Sequence, residues 1–468
     1  MPMESEAWAR HALPGRRRLG ELGRMQDMRT FTRAITLGWL VVLAAATTAA
    51  AIDVAVPPLA ATARRAGLRV VESEHLVLAT DRAPRADDGV DELPRIFDEA
   101  CTAWCGHYGI DPATIRDWRA FGCLVVDRER FRAAGLLPAT IPEFPNGFCD
   151  RNRFWMMDQS NPDYRRHLLL HEGVHAFTLT LRDLDAPPWY TEGIAEFLAT
   201  HRLERDADGR EHFVLAPLPA RRSDVEQLGR IEKLRGLAAQ GRPPTLAAVL
   251  AASGRDHLDI SAYAANWAAV ALFAKHPAFA RPFAAAERGP LDADFTARLA
   301  AQPDWNAARA AREYAAFTAE VDYGWDFART AIDWSPGKPL VTPTRGTVDA
   351  GRGWQNAGVA LEAGGRCRIR AAGRVTLDKV GDAAAATPIE SEADGITLRW
   401  YRGRPVGRLL AAQWVERNDG TACFVVLGEG SGAELTAAAA GPLYFKVNDP
   451  PGDLADNVGA YTVDILPP

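Results

Sequence analysis

Residues 164–177 read Tyr-Arg-Arg-His-Leu-Leu-Leu-His-Glu-Gly-Val-His-Ala-Phe, and within them His171, Glu172 and His175 form the pattern H-E-x-x-H. On a helix, residues four positions apart lie one above the other on the same face. Both imidazoles can therefore reach one cation while Glu172 lies beside them. Zinc that performs hydrolysis takes three protein ligands and keeps a fourth position open. The pattern predicts a helix that supplies two of those three ligands.

A third ligand is expected a short distance further along the chain. Pro187 and Pro188 prevent the first helix from continuing, and Thr191 is expected to cap a second one. Glu192 then falls in the first turn of this second helix, and Glu196 lies one turn further along the same face. Two neighbouring helices are thus predicted to bring histidines and glutamates together.

The segment around the second helix carries a family resemblance. Residues 189–197 read Trp-Tyr-Thr-Glu-Gly-Ile-Ala-Glu-Phe, and H-E-x-x-H followed by this W-x-x-E-G-x-A-like motif resembles the gluzincin zinc peptidases, which include the thermolysin-like and aminopeptidase-like enzymes. The metzincins are excluded, because the glycine and histidine that they require would fall at Thr178 and Leu181.

Site roles follow from this resemblance. It implies that His171, His175 and Glu192 bind zinc and that Glu172 is the general base of a peptidase. Glu196 matches the position of an acid that hydrogen-bonds a zinc-bound histidine, and a ligating imidazole does need its second N–H held.

The alternative is a surface helix whose histidines and glutamate are merely solvated. This helix is predicted to be buried, because its apolar residues lie on most of its sides. They are Leu168, Leu169, Leu170, Val174 and Phe177. A buried helix does not usually carry two histidines and a glutamate without a partner, and a metal ion is the simplest partner.

Composition and the N-terminal segment indicate an exported globular protein. The chain has 468 residues, 47% of them hydrophobic, and a net charge of -6, which suggests two or three domains and gives no indication of nucleic-acid binding.

Arg29 and Arg33 precede an uncharged run over 34–52 that ends in alanines, so 1–51 is interpreted as an N-terminal extension with a signal peptide. An uncleaved membrane anchor is the alternative. The abundance of alanine and arginine is typical of a GC-rich bacterial genome.

Export would place the six cysteines in an oxidising compartment. Cys367 and Cys423 are expected to form one disulfide. The other four are expected to form two more, with three possible connectivities: Cys101, Cys105, Cys123 and Cys149.

Patterning divides the rest of the chain into two folded regions. After a linker at 52–67, strands and helices over 68–335 predict an α+β zincin-like domain. Glycine- and proline-rich residues then mark a second linker. Short apolar runs separated by turns over 340–468 predict an all-β sandwich of jelly-roll type.

Two further features of the 68–335 region bear on a catalytic site. The apolar segment 147–158 is predicted to form a strand or hairpin just before the zinc helix. In gluzincins an edge strand beside the metal binds the substrate backbone, although a core strand without a ligand contact fits the pattern equally well. Tyr263, or alternatively His257, is a candidate to hydrogen-bond the oxyanion. A buried tyrosine with its hydroxyl satisfied elsewhere is the simpler interpretation.

Residues 340–468 resemble the calcium-dependent galactose-binding lectins of bacteria. The resemblance rests mainly on 443–459, Leu-Tyr-Phe-Lys-Val-Asn-Asp-Pro-Pro-Gly-Asp-Leu-Ala-Asp-Asn-Val-Gly. It implies a calcium site with the side chains of Asp449, Asp456 and Asn457 and the backbone carbonyls of Leu377, Pro450 and Asp453. Oxygen ligands with two carboxylates suit calcium. The sugar-contacting His and Gln of that family have no clear equivalents near 390–394, and an Asx-rich turn without an ion is the alternative.

The sequence therefore predicts an exported zinc peptidase that acts on peptides or proteins and is held near glycans or glycoproteins by its C-terminal region. Nucleic acid is not an expected partner, nor is a membrane beyond the signal segment. The competing hypothesis is a non-catalytic glycan-binding surface protein with a degenerate zincin domain.

Overall fold

The computed structural model describes residues 55–85, 89–225, 229–253, 260–381 and 387–468. Within these ranges the α-helices are α1 (Val56–Arg65), α2 (Leu93–Tyr108), α3 (Arg128–Ala133), α4 (Pro162–Leu181), α5 (Pro188–Ala199), α6 (Arg230–Ala239), α7 (Leu246–Ala251), α8 (Ile260–Lys275), α9 (Ala280–Glu287), α10 (Phe295–Ala300), α11 (Ala307–Glu320) and α12 (Phe327–Thr330).

A five-stranded sheet lies among the first of these helices. Its strands are β1 (Arg69–Glu72), β2 (Leu76–Thr80), β3 (Ala120–Val125), β4 (Gly147–Asp150) and β5 (Arg153–Met157), in the order β1-β2-β3-β5-β4. Strands β2, β3 and β5 are parallel, whereas β1 and β4 are antiparallel to their neighbours. This order makes β4 an edge strand, and its first residue, Gly147, approaches Glu172 in the middle of α4. A separate two-stranded hairpin pairs β6 (His201–Arg205) with β7 (Glu211–Leu215).

Alternating side chains of this sheet enter two cores, because successive residues of a strand point to opposite faces. On β2, Leu76 and Leu78 join the large core formed with α2, α4, α5 and α8, while Val77 and Ala79 face the other way. Helix α1 covers this second face through Val56, Ala60 and Ala63. The segment 52–67 that was predicted as a linker therefore contains a packed helix, since three apolar residues at helical spacing bury against the sheet.

Helices α4 and α5 position the predicted site. Helix α4 begins where the side chain of Asn161 accepts a hydrogen bond from the backbone N–H of Tyr164 at 2.8 Å, and most of the helix is buried. Helix α5 begins at Pro188. The expected cap at Thr191 is wrong: its hydroxyl donates to the carbonyl of Ala186 at 3.0 Å, and proline at the first helical position sets the start instead. Glu192 consequently lies in the second turn.

The C-terminal part of the chain is β-rich. Its strands are β8 (Lys338–Pro339), β9 (Thr344–Asp349), β10 (Gln355–Leu361), β11 (Arg366–Ala372), β12 (Val375–Val380), β13 (Thr387–Ser391), β14 (Ile396–Tyr401), β15 (Arg404–Val406), β16 (Leu409–Glu416), β17 (Ala422–Glu429), β18 (Gly432–Thr436), β19 (Gly441–Val447) and β20 (Val458–Leu466). One sheet has the order β17-β16-β19-β10-β8, and a second has the order β13-β12-β20-β11-β18 with β9 paired to β20. Both sheets contribute to one apolar core. The predicted succession of a mixed α and β region and a β-rich region is thereby confirmed.

The mixed part (α1 to α12) and the β-rich part (β8 to β20) share a half-buried contact. Lys446 on β19 donates to the Glu320 carboxylate at the end of α11 at 2.8 Å, and the indole N–H of Trp354 donates to the same carboxylate at 2.8 Å. An apolar cluster lies beside this ion pair and combines residues of both parts: Ala316, Ile332, Trp354, Leu410, Ala412 and Tyr444. The two parts are held by side chains that neither can bury alone.

The predicted disulfides are wrong. All six cysteines are free thiols: Cys101, Cys105, Cys123, Cys149, Cys367 and Cys423. Cys367 on β11 and Cys423 on β17 lie in different sheets. Cys123 on β3 and Cys149 on β4 are separated by β5, about 9–10 Å at the usual strand spacing, and a disulfide requires Cα atoms about 4.4–6.8 Å apart.

The N-terminal prediction lies outside the described residues, because the signal peptide was assigned to 1–51. Among the helices of the described ranges, none is long and apolar enough to cross a membrane.

Candidate metal centre

Three side chains from α4 and α5 converge on one point. His171 Nε2 lies 3.1 Å from His175 Nε2, and Glu192 Oε2 lies 3.4 Å from the first and 3.5 Å from the second. The histidines are one turn apart on α4, and α5 packs across that turn to bring in Glu192. The structure therefore assembles the three predicted ligand atoms into a compact triangle.

The size of this triangle fits a zinc ion. Donors about 2.0–2.1 Å from a tetrahedral zinc ion are about 3.3–3.4 Å apart, and the three separations bracket that value. Glu192 Oε2 is buried and lies at ion-pair distance from both imidazoles, without an aligned hydrogen bond among the described residues. Two imidazoles and a carboxylate are also a donor set that zinc prefers.

Electrostatics at the triangle favour positive charge. Burial lowers the pKa of His171, but the carboxylates of Glu192, Glu196 and Glu172 outweigh burial and raise that pKa to about 10. Burial raises the pKa of Glu192, but His175 and His171 outweigh it and hold the pKa well below its ordinary value. Glu192 is therefore ionised, and a metal cation bound at the triangle would displace the proton that the raised pKa keeps on His171.

Glu196, the predicted partner of a ligating histidine, lies next to the ring of His171. Its Oε1 is 3.2 Å from His171 Nδ1, which is ion-pair distance without hydrogen-bond alignment. Arg230 on α6 donates from Nη2 to Oε1 at 2.6 Å and from Nε to Oε2 at 2.9 Å. Burial raises the pKa of Glu196, but Arg230 and the ring of His167 outweigh it and hold that pKa well below its ordinary value.

A second histidine–carboxylate group adjoins the first. His167, His171 and Glu196 place ligand atoms within 4.8 Å of one another, and His167 is buried. Both carboxylate oxygens of Glu196 are already bonded to Arg230, so this group lacks a carboxylate that is available to a cation. Of the two groups, the first is therefore the better candidate for a metal site.

Glu172 is the candidate general base. It follows His171 on α4, is buried, and approaches Gly147 on the edge strand β4. Burial raises its pKa above the ordinary value, although His171 and His175 oppose that shift. A carboxylate whose pKa is raised accepts a proton more readily at neutral pH.

Tyr263 also lies at this site. Its ring centroid is 5.9 Å from that of His171, and the guanidinium of Arg230 lies 5.6 Å from its ring centre. Burial, together with the nearby carboxylates, raises its pKa, so the hydroxyl stays protonated and can donate a hydrogen bond. The alternative candidate, His257, lies outside the described residues.

The predicted calcium residues lie in the loop between β19 and β20 and beside it. Asp449 is buried and accepts a hydrogen bond from the Asn457 amide at 2.9 Å, while Asn457 Oδ1 is buried without a partner among the described residues. Burial and the neighbouring Asp453 and Asp456 raise the pKa of Asp449 to about 7, against the opposing bond from Asn457.

The other members of this set are less closely gathered. Asp453 and Asp456 are exposed, and in the described ranges no three loop carboxylates come within 4.8 Å of one another. The Pro450 carbonyl accepts the backbone N–H of Asp453 at 3.0 Å, and Leu377 lies at a bulge of β12. The loop thus presents one buried carboxylate and one orphaned amide oxygen.

Comparison with known proteins identifies no family for this chain. No family model matches the chain, and no curated protein matches it. A solved structure described as the EclA N-terminal domain, a PllA-like lectin, is 24% identical over 26% of this chain and 95% of its own length, with a TM-score of 0.19.

Three residues near the candidate metal site were not predicted from the sequence: His167, Arg230 and Gly147. His167 carries a visible signal, because it precedes His171 by one helical turn. Arg230 carries none, since it is separated from Glu196 by a hairpin and a loop. Gly147 falls in the strand that was predicted, but its closeness to Glu172 requires knowledge of how β4 packs on α4.

Proposed function

We propose that this protein is a zinc-dependent peptidase with a zincin-like catalytic part. The observation that supports this most strongly is the triangle of His171 Nε2, His175 Nε2 and Glu192 Oε2, with sides of 3.1–3.5 Å. Zinc held there would supply a Lewis acid that polarises the scissile carbonyl and acidifies a water molecule.

The surrounding residues have separate roles in this proposal. Glu172 takes the proton of the attacking water and passes it to the leaving amine. Tyr263 donates its hydroxyl proton in a hydrogen bond to the developing oxyanion. The free edge of β4 pairs with an extended substrate backbone, as edge strands do in strand addition. Peptide hydrolysis needs these three functions beside the metal.

The test is the E172Q variant, assayed on a mixed peptide library with and without a zinc chelator. We expect hydrolysis by the wild type, its loss with chelator, and its loss in E172Q while one zinc stays bound. E204Q is the matched control, because Glu204 is exposed and pairs with Arg202 away from the site. Hydrolysis by E172Q at the wild-type rate would refute the mechanism.

The same assay tests the competing hypothesis of a non-catalytic surface protein. That hypothesis predicts no cleavage of any library peptide by the zinc-loaded wild type. Export is part of our proposal too, and it rests on residues 34–52, which the described structure does not include.

A second proposal concerns the β-rich part, which we infer to bind calcium and through it glycans. Asn457 Oδ1, which is buried beside Asp449 without a hydrogen-bond partner among the described residues, supports the ion, because calcium takes amide and carboxylate oxygens as ligands. Calcium should raise the melting temperature of the wild type but not of D449N, since an ion bound only to the folded state stabilises it. An unchanged wild-type melting temperature would contradict this. Titration with galactose in the presence of calcium tests glycan binding.

A further inference from the structure

Gly147 lies where the edge strand passes the candidate general base. It is the first residue of β4 and pairs with Met156 on β5. A Cβ atom built on Gly147 would collide with Glu172 Oε1 and lie only 2.6 Å from its Cδ and 2.9 Å from its Cγ. The carboxylate of Glu172 therefore fills the space that a side chain at this position would take.

Backbone conformation does not explain this glycine. The glycines with positive φ are a separate set that does not include Gly147, so any residue can adopt its backbone angles. The reason for glycine at this position is space alone.

If residue 147 were larger, the side chain of Glu172 could move away more easily than the backbone of β4. Next to Gly147, the carbonyl of Asn146 accepts the backbone N–H of Met157 at 2.7 Å, and four residue pairs hold β4 against β5. Glu172, in contrast, meets the glycine with the end of a flexible side chain. A methyl group at 147 would therefore displace the carboxylate and leave the fold in place.

We propose that Gly147 is a positioning residue, which admits the Glu172 carboxylate into a slot against the edge strand and thereby sets the place of the base relative to His171 and His175. This inference rests on the proposed peptidase function. It adds that the edge strand also determines where the base stands.

The experiment compares G147A with the control G346A. Gly346 lies on β9, does not have a positive φ, and has open space where its Cβ would be. We expect G147A to lower kcat by roughly 100-fold or more, the size of a general-base contribution, with KM, zinc content and melting temperature near wild type. G346A should match the wild type throughout.

A compensating variant separates positioning from general damage. In G147A/E172D the acidic side chain is one methylene shorter, so we expect it to recover part of the activity lost in G147A. E172D alone should be impaired, because its carboxylate no longer reaches the same place. Equal kcat for G147A and wild type, or no recovery in the double variant, would overturn the inference while leaving the peptidase proposal intact.

A crystal structure of metal-free G147A tests the inference without any activity. We expect Glu172 in a different side-chain rotamer from the wild type. A Glu172 that keeps its wild-type rotamer beside the added methyl group would overturn the inference. If the wild type did not hydrolyse peptides but Glu172 were displaced in G147A, the peptidase proposal would be refuted. The claim that Gly147 leaves room for the Glu172 carboxylate would still stand.

Discussion

At the scale of single residues, the site depends on two carboxylates that flank His171 and on an arginine that binds one of them. Glu192 meets its Nε2 and Glu196 lies by its Nδ1, and Arg230 holds Glu196 through two hydrogen bonds. H-E-x-x-H and the glutamates one helix later could be predicted, because ligand spacing on helices is local. Arg230 could not, since only the folded chain brings α6 behind α5.

The E196Q variant tests this arrangement. Glutamine keeps the size of the side chain but loses the charge that faces His171 Nδ1, so zinc affinity should fall by about 10–100-fold, the usual effect of changing a group behind a metal ligand. Competition with a chromogenic chelator measures it, with E204Q as the control. An affinity equal to that of the wild type would show that Glu196 does not support His171.

At the scale of elements, the site requires α5 to lie close to α8, which carries Tyr263. Gly193 makes this approach possible, because a Cβ there would lie 2.6 Å from the backbone oxygen of Asn266 and 2.7 Å from Val270 Cγ2. The helical patterns and the break at Pro187 were visible in the sequence. The contact between α5 and α8 could not be predicted from the sequence, because a glycine inside a helix does not identify the element that packs against it.

The G193A variant should therefore lower the free energy of unfolding by about 1–3 kcal/mol, a typical cost of overpacking. Gly236 on α6 has open space around it, so G236A should instead be neutral or stabilising by up to about 1 kcal/mol, as expected for alanine in a helix. Chemical denaturation measures both. Stabilisation by G193A as large as that by G236A would contradict the close approach.

At the scale of the whole molecule, the β-rich part is fixed to the mixed part by the half-buried pair of Glu320 and Lys446. At a second contact, the two parts of the chain approach each other at Gly452, in the loop before β20, and Gly324. A Cβ on Gly452 would lie 2.8 Å from the Tyr323 carbonyl oxygen and 3.2 Å from Gly324 Cα. Composition could predict two regions joined by a linker. It could not predict that their surfaces share a charged pair, because the partners are more than a hundred residues apart.

The K446M variant tests this coupling and its dependence on pH. Burial raises the pKa of Glu320, but Lys446, Arg402 and the Trp354 N–H outweigh burial and lower it. A carboxyl whose folded pKa lies below its unfolded value of about 4.3 adds stability above that pH and loses it as the pH falls. K446M should thus cost about 1–3 kcal/mol near neutral pH, as for the loss of a charge-assisted hydrogen bond in a part-buried pair, and less below about pH 4.

The control for K446M is K379M, which removes an exposed lysine from the same part of the chain. Urea unfolding at several pH values gives the free energies. A deficit in K446M that does not shrink in acid would contradict the role of the Glu320 charge.

Metal analysis of the purified protein tests the central claim most directly. The account predicts one zinc per chain in the wild type, one in E172Q, and none in a variant that lacks both His171 and His175. A folded wild type that binds no zinc after dialysis against the ion, or a double histidine variant that still binds one, would contradict the assignment of this site.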